Sequence, residues 1–299
     1  MSRFVTPQLL CLLLIGVLLL SPMAFGQDSS ITILSRYRVT ANVTYMVMGS
    51  WEGKLDIYSR TDSEQLRPTL VWIHGGSSMR GSKDQSVLRL LPYLESGWNV
   101  VNVEHRLAGV TLAPAAFRNC LCALRWVGQN AEQYGFDKER LVVSGGSSGG
   151  WFAVASAMTR RPEGWDEPCP GTEEPRVAAV VNIAGNWDLA DILEGPNKKP
   201  YAAGWVRDLP NPMEIARSLS PLPIDAKTAP PVVSIHGDAD KVVPYSQAVR
   251  LHEALRAAGV SEQLITIPGG GHGGFTAAER QMYYEGIFVF LRERGIYAD

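Results

Sequence analysis

A serine, a histidine and a pair of aspartates, each set among glycines, are the residues of this chain whose spacing could carry nucleophilic chemistry. The serine lies in Leu141-Val-Val-Ser-Gly145-Gly-Ser147-Ser-Gly149-Gly-Trp151, where a β-rich run passes through five small residues into a stretch of helix-forming composition. This is the pattern of a G-x-S-x-G nucleophile elbow. The sharp turn brings strand and helix so close that the positions two before and two after the nucleophile have no room for a Cβ. Gly145 and Gly149 fill those positions around Ser147. The run also fits a second register, with Gly146 and Gly150 around Ser148, which the pattern alone does not exclude. We take Ser147 as the nucleophile, because a glycine pair then follows it and Ser148 is left to offer its backbone N–H.

A hydroxyl is a weak nucleophile until a base takes its proton, and the base needs a third group to orient it. His272, in Gly269-Gly-Gly271-His272-Gly-Gly274-Phe275, follows the last expected strand, at the sheet edge where open α/β sheets place their sites. Two carboxylates follow the preceding strand in His236-Gly-Asp238-Ala-Asp240-Lys-Val-Val-Pro244. Asp240 is taken as the orienting acid and Asp238 as the cap of the local turn, since Asx side chains bond backbone two residues on. Asp188 is the fallback for the same role. In Val71-Trp-Ile-His74-Gly75-Gly76-Ser77 two glycines come directly after a buried strand, where unhindered N–H groups can turn toward a developing negative charge. Gly75, Gly76 and the N–H of Ser148 therefore form the expected oxyanion hole, in which one donor is worth roughly a hundredfold to a thousandfold in turnover.

The elements that must position these residues are legible from periodicity. Arg38 to Met48 and Lys54 to Tyr58 read as an opening antiparallel hairpin joined across Gly49-Ser-Trp-Glu-Gly53. Strands are then expected at Thr69 to Ile73, Trp98 to Val103, Arg140 to Val143, Val177 to Ile183, Pro231 to Ile235 and Gln263 to Ile267. Helices are expected at Lys83 to Glu95, Pro114 to Gln133, Gly149 to Thr159, Ser246 to Ala258 and Ala277 to Arg294. The alternation predicts an α/β fold, a mostly parallel sheet of about eight strands with helices on both faces. Residues 188–227 break the rhythm with six prolines, at 196, 200, 210, 212, 221 and 223, and read as a lid-like insertion. Trp187 and Trp205 are candidates to stack on a sugar or an aromatic acyl group.

With 28 Lys and Arg against 30 Asp and Glu in 299 residues, charge gives no reason to expect nucleic acid or an anionic membrane as partner. Arg3, the apolar block Leu9 to Leu20 and the small residues before Gly26 read as a secretory signal over residues 1–26, leaving a domain at 27–299. The expected location is therefore secreted or periplasmic, without stable membrane association after cleavage following Gly26. Export leaves Cys120, Cys122 and Cys169 in an oxidising compartment, an odd number. Phe117, Cys120, Leu121, Leu124 and Val127 form one apolar stripe, so Cys120 packs as a small hydrophobe and Cys122 is the expected partner of Cys169. None of the three has metal-ligand spacing, and no cofactor is expected. Asn42-Val-Thr44 is an N-glycosylation sequon.

Together, Leu55-Asp-Ile-Tyr58, His74-Gly-Gly76 with Gly81-Ser-Lys83, Arg106-Leu107, Pro114-Ala-Ala116, the elbow, the Asp240 box and the His272 loop resemble α/β-hydrolase carboxylesterases of the hormone-sensitive-lipase type and their secreted acetyl- and feruloyl-xylan esterase relatives. The order serine, acid, histidine is that of α/β-hydrolases. This chain departs from them at Ser77-Ser-Met-Arg80, where an aromatic residue usually follows the glycines, and at Glu104-His105, where a tyrosine commonly precedes the arginine. The resemblance implies a serine ester hydrolase, and expected export, balanced charge and a proline-broken insertion carrying Asp191, Glu194, Lys198, Lys199, Arg207 and Asp208 point to short-acyl esters of a carbohydrate or small alcohol as substrates. An amidase, an aryl formamidase or a small peptidase would use the same three residues, and a non-catalytic binding protein on the same scaffold would typically lack one of them.

Overall fold

The computed structural model describes residues 33, 35–159, 169–171, 175–206 and 209–298. The signal expected at residues 1–26 lies outside them. The chain opens with β1 (Tyr37–Met48) and β2 (Trp51–Arg60), followed by β3 (Arg67–Ile73), α1 (Val87–Glu95), β4 (Asn99–Val103), α2 (Ala113–Gln129), the single turn α3 (Ala131–Tyr134), β5 (Phe136–Gly146) and α4 (Ser148–Met158). After β6 (Ala179–Ile183) come three short helices, α5 (Leu189–Leu193), α6 (Pro200–Val206) and α7 (Pro212–Ser218). The chain closes with β7 (Val232–Gly237), α8 (Tyr245–Ala257), β8 (Glu262–Ile267) and α9 (Ala277–Arg292).

The strands form one eight-stranded sheet in the order β1-β2-β4-β3-β5-β6-β7-β8. The first two ladders, β1 with β2 and β2 with β4, are antiparallel, and every later pairing is parallel. The period of two along each strand sorts its side chains between two cores. Val71 and Ile73 of β3 face a core shared with α2, α4 and α8, while Leu70 and Trp72 face one shared with α1 and α9. Both faces are thus covered, which is why all seven residues of β3 are buried.

Several expected boundaries move for identifiable reasons. The hairpin turn is only Gly49-Ser50, because Trp51, Glu52 and Gly53 stay in register with Met48, Val47 and Met46. The helix expected from Lys83 begins as a 3-10 turn, Lys83–Ser86, before α1. The helix expected to reach Gln133 breaks at Asn130, whose side chain donates back to Trp126 O at 2.8 Å. Cys122 of α2 is bridged to Cys169, and Cys120 is a buried free thiol. Residues 188–227 hold α5 to α7 between β6 and β7. Among the described residues no helix is long and apolar enough to cross a membrane.

Candidate active site

The strand β5 runs to Gly146, paired with Ile183 of β6, and α4 starts at Ser148, so a single residue makes the turn between them. That residue is Ser147, with φ 56 and ψ −124. A side chain other than glycine's in this region costs on the order of 1–3 kcal/mol and needs its surroundings to enforce it. The surroundings are steric. A Cβ at Gly145 would press on the backbone of Gly149, and one at Gly149 would strike Ile73 O, whereas a Cβ at Gly146 would meet nothing nearer than 4.0 Å. The tight pair therefore flanks Ser147.

Ser147 Oγ lies 2.8 Å from Nε2 of His272, and Nδ1 of that ring lies 2.7 Å from Oδ2 of Asp240. His272 comes from the loop after β8 and Asp240 from the loop after β7, so three loops at one sheet edge converge. The Asp240 side chain is wholly buried. Its other oxygen accepts the amides of Val242 at 2.8 Å and Val243 at 3.0 Å. Burial alone would raise its pKa, but hydrogen bonds from His236, His272 and the Val242 amide outweigh that and hold the carboxyl well below the usual carboxylate range. The turn-capping bond expected of Asp238 is thus made by Asp240 itself, whereas Asp238 Oδ1 accepts the Gly269 amide at 2.6 Å and pins the histidine loop. Asp188 caps α5 through the Asp191 amide, away from this cluster of contacts.

The glycine loop after β3 lies against the elbow. A Cβ at Gly75 would clash with Gly146 O and sit 3.2 Å from Ser147 Cβ, and Gly76 has φ +126. Ser77 and Ser78 follow with φ 56 and 52. They are held from three sides: Ser78 N donates to Ser148 Oγ at 3.1 Å, Ala108 N donates to Ser78 O at 2.6 Å, and Trp205 Nε1 donates to Ser77 O. The Ser148 hydroxyl is thus engaged with the loop while the Ser147 hydroxyl faces the histidine. Among the described residues no protein acceptor takes the amides of Gly75, Gly76 or Ser148.

The tryptophans differ from expectation. Trp187 and Trp205 are 4% and 2% exposed and belong to the apolar core. Trp205 stacks on Trp151 at 5.2 Å, and no ring face is left for a sugar. The expected stacking role is therefore replaced by support of the loop at Ser77. Sequence reasoning also missed His236, 3.2 Å from Asp240 Oδ2, and the hub at Asp191, whose Oδ2 accepts from Gln247 at 2.6 Å, Arg250 at 2.8 Å and Asn197 at 2.9 Å. The motif His236-Gly-Asp238-Ala-Asp240 held the first signal, since an (i, i+4) pair across a strand end can fold back on itself. Among the described residues no group of three or more His, Cys, Asp or Glu is placed to hold a metal.

An elbow serine, a histidine and an acid in that chain order, on this sheet topology, define the α/β-hydrolase fold. The chain matches the BD-FAE family over residues 55–255 and belongs to it. It is 29% identical over 231 residues to Esterase LipC of Mycobacterium tuberculosis, covering 73% of this chain and 56% of LipC. The chain spans between half and three fifths of the length of such curated relatives. Among solved structures it is similar to a truncated carbohydrate esterase from gut microbiota, with TM-score 0.72, 26% identity, and 87% and 96% of the two chains covered. A thermophilic esterase of Thermogutta terrifontis shares the fold, with TM-score 0.70 and 23% identity, over 88% and 94% of the chains.

Proposed function

We propose that this protein is an exported serine esterase that cleaves short-acyl esters of a carbohydrate or a small alcohol. The observation that carries the reading is the unbroken run of contacts Ser147 Oγ to His272 Nε2 to Asp240 Oδ2, at 2.8 and 2.7 Å, on a strained elbow. Ser147 Oγ attacks the ester carbonyl as His272 Nε2 takes its proton. Asp240 holds the tautomer that leaves Nε2 free to accept. The tetrahedral oxyanion is met by the N–H groups of Gly75, Gly76 and Ser148, and the proton passes from His272 to the departing alkoxide. Water then repeats the cycle on the acyl-enzyme.

The insertion supports a small substrate. It is fastened to the body at Asp191, at Ser77 through Trp205, and through Lys199 Nζ to Lys241 O at 3.0 Å. A lid that opens on lipid needs a broad apolar face free to move. The Cys122–Cys169 bridge supports export, because such bridges persist in oxidising compartments. The test is a panel of p-nitrophenyl esters from acetate to palmitate, with acetylated xylan, methyl ferulate and aminoacyl amides. We expect the highest kcat/KM at acetate to butyrate. Efficiency rising steadily to palmitate, or activity confined to the amides, would overturn the reading.

A further inference from the structure

The loop from His74 to Lys83 has no side chain at 75, 76 or 81 to resist rotation of a peptide plane. One carboxylate outside the loop reaches both of its ends. Glu104 Oε1 lies 3.2 Å from His74 Nε2, and Oε2 accepts the Lys83 amide at 2.8 Å. Glu104 is itself fixed just beyond β4, its amide donating to Lys54 O at 2.9 Å and its carbonyl accepting the Tyr45 hydroxyl at 2.7 Å. The Lys83 end has other anchors, Lys83 Nζ to Asp56 at 2.8 Å and Asn102 Nδ2 to Lys83 O at 2.7 Å. The contribution peculiar to Glu104 is therefore at His74.

The His74 ring is buried and stacks on His105 at 4.1 Å and 10°. Stacking fixes its plane but leaves two orientations a half-turn apart about Cβ–Cγ, and the contact to Glu104 selects the one with Nε2 at the carboxylate. With Nε2 at the carboxylate, Nδ1 lies 2.9 Å from Gly75 O, so each ring nitrogen faces an acceptor and the two bonds form together only when both nitrogens carry hydrogen. Gly81 packs over the same place, since a Cβ there would clash with Gly75 O and lie 2.9 Å from His74 Nδ1. In a planar trans peptide the carbonyl and the following N–H point in opposite directions. Where Gly75 O is held thus decides where the Gly76 N–H points.

We propose that Glu104 is a positioning residue for oxyanion stabilisation: it fixes the His74 ring against the Gly75 carbonyl and so keeps the Gly76 N–H turned to the opposite side. The proposal rests on the reading of Gly75 and Gly76 as oxyanion donors. Without the carboxylate, the Gly75–Gly76 peptide has two low-cost orientations, and only one presents the donor.

The experiment compares wild type with Glu104→Leu, which has no acceptor to offer, His74→Gln and the double variant, using p-nitrophenyl butyrate as substrate and a butylboronic acid as mimic of the tetrahedral state. In Glu104→Leu, kcat falls on the order of a hundredfold, the size of one lost oxyanion donor, while KM stays within about twofold of wild type. The boronate inhibition constant weakens by a comparable factor. The double variant loses no more than the worse single, because both changes act through one contact. Unchanged kcat in folded Glu104→Leu, loss of kcat with boronate affinity intact, or additive losses would overturn the proposal. Should Glu104→Leu fail to fold, Glu104→Asp, which keeps the charge but shortens its reach, is read the same way, and wild-type kcat and boronate affinity there would overturn it. An inert wild type would count against the esterase reading itself, whereas an active wild type with an unimpaired variant counts against Glu104 alone.

Discussion

His236 Nε2 lies 3.2 Å from Oδ2 of Asp240, the same oxygen that His272 reaches from the other side. The His236 ring is fully buried, and Nε2 also lies 3.0 Å from Val243 O, so it meets two acceptors and carries the hydrogen. Asp240 is thereby held from the core side as well as by the two amides of its own turn. A carboxylate with every oxygen bonded has little freedom to swing away from His272.

Asp240→Asn should cut kcat on the order of 10⁴-fold, through loss of the correct histidine tautomer. Asp238→Asn should cost far less, because an amide oxygen can still accept the Gly269 amide. Steady-state kinetics of the two variants decides it, and a larger loss in Asp238→Asn would exchange the two roles.

Much of this was legible in the sequence because glycine spacing records steric need. Gly145 and Gly149 around Ser147, and Gly75 against the elbow, mark places where backbone meets backbone, and each left its trace in the chain. The sheet was legible because apolar runs of parallel strands carry their own signal. The tryptophans were not. In an irregular, proline-broken segment nothing local says which way a side chain turns, and Trp205 turned inward to Trp151 and Ser77. The contacts of Glu104 with His74 and of Gln247 with Asp191 join residues 30 and 56 positions apart, and no periodicity predicts such pairs.

The bridge between Cys122 and Cys169 closes a span of 47 residues, worth about 4 kcal/mol on loop entropy. The variant Cys122→Ala/Cys169→Ala should lower the urea midpoint accordingly, and mass spectrometry of unreduced wild type should show the linked peptide. Absence of the linked peptide would contradict the pairing.

Stability should fall with acid in a defined window. Burial first, and then the neighbouring His74, push His105 down to about 4, against an ordinary value near 6.5. Its contribution is fully present above about 6.5 and is lost as pH falls toward 4, because the unfolded chain binds the proton that the folded chain refuses; the loss is about 3 kcal/mol. His252, which burial also lowers, acts with the same sign, whereas the depressed Asp240 adds its loss only at lower pH, below the ordinary aspartate range. The difference between wild type and His105→Phe isolates the first of these. Urea unfolding at pH 7 and pH 4 should show the variant losing less by about that amount, and parallel losses would contradict it.

Covalent labelling distinguishes Ser147 from Ser148 as the nucleophile. A p-nitrophenyl alkylphosphonate should release one equivalent of nitrophenol as activity is lost, with peptide mapping placing the phosphonyl group on Ser147. An adduct on Ser148, or full inactivation with Ser147 unmodified, would contradict Ser147 as the nucleophile.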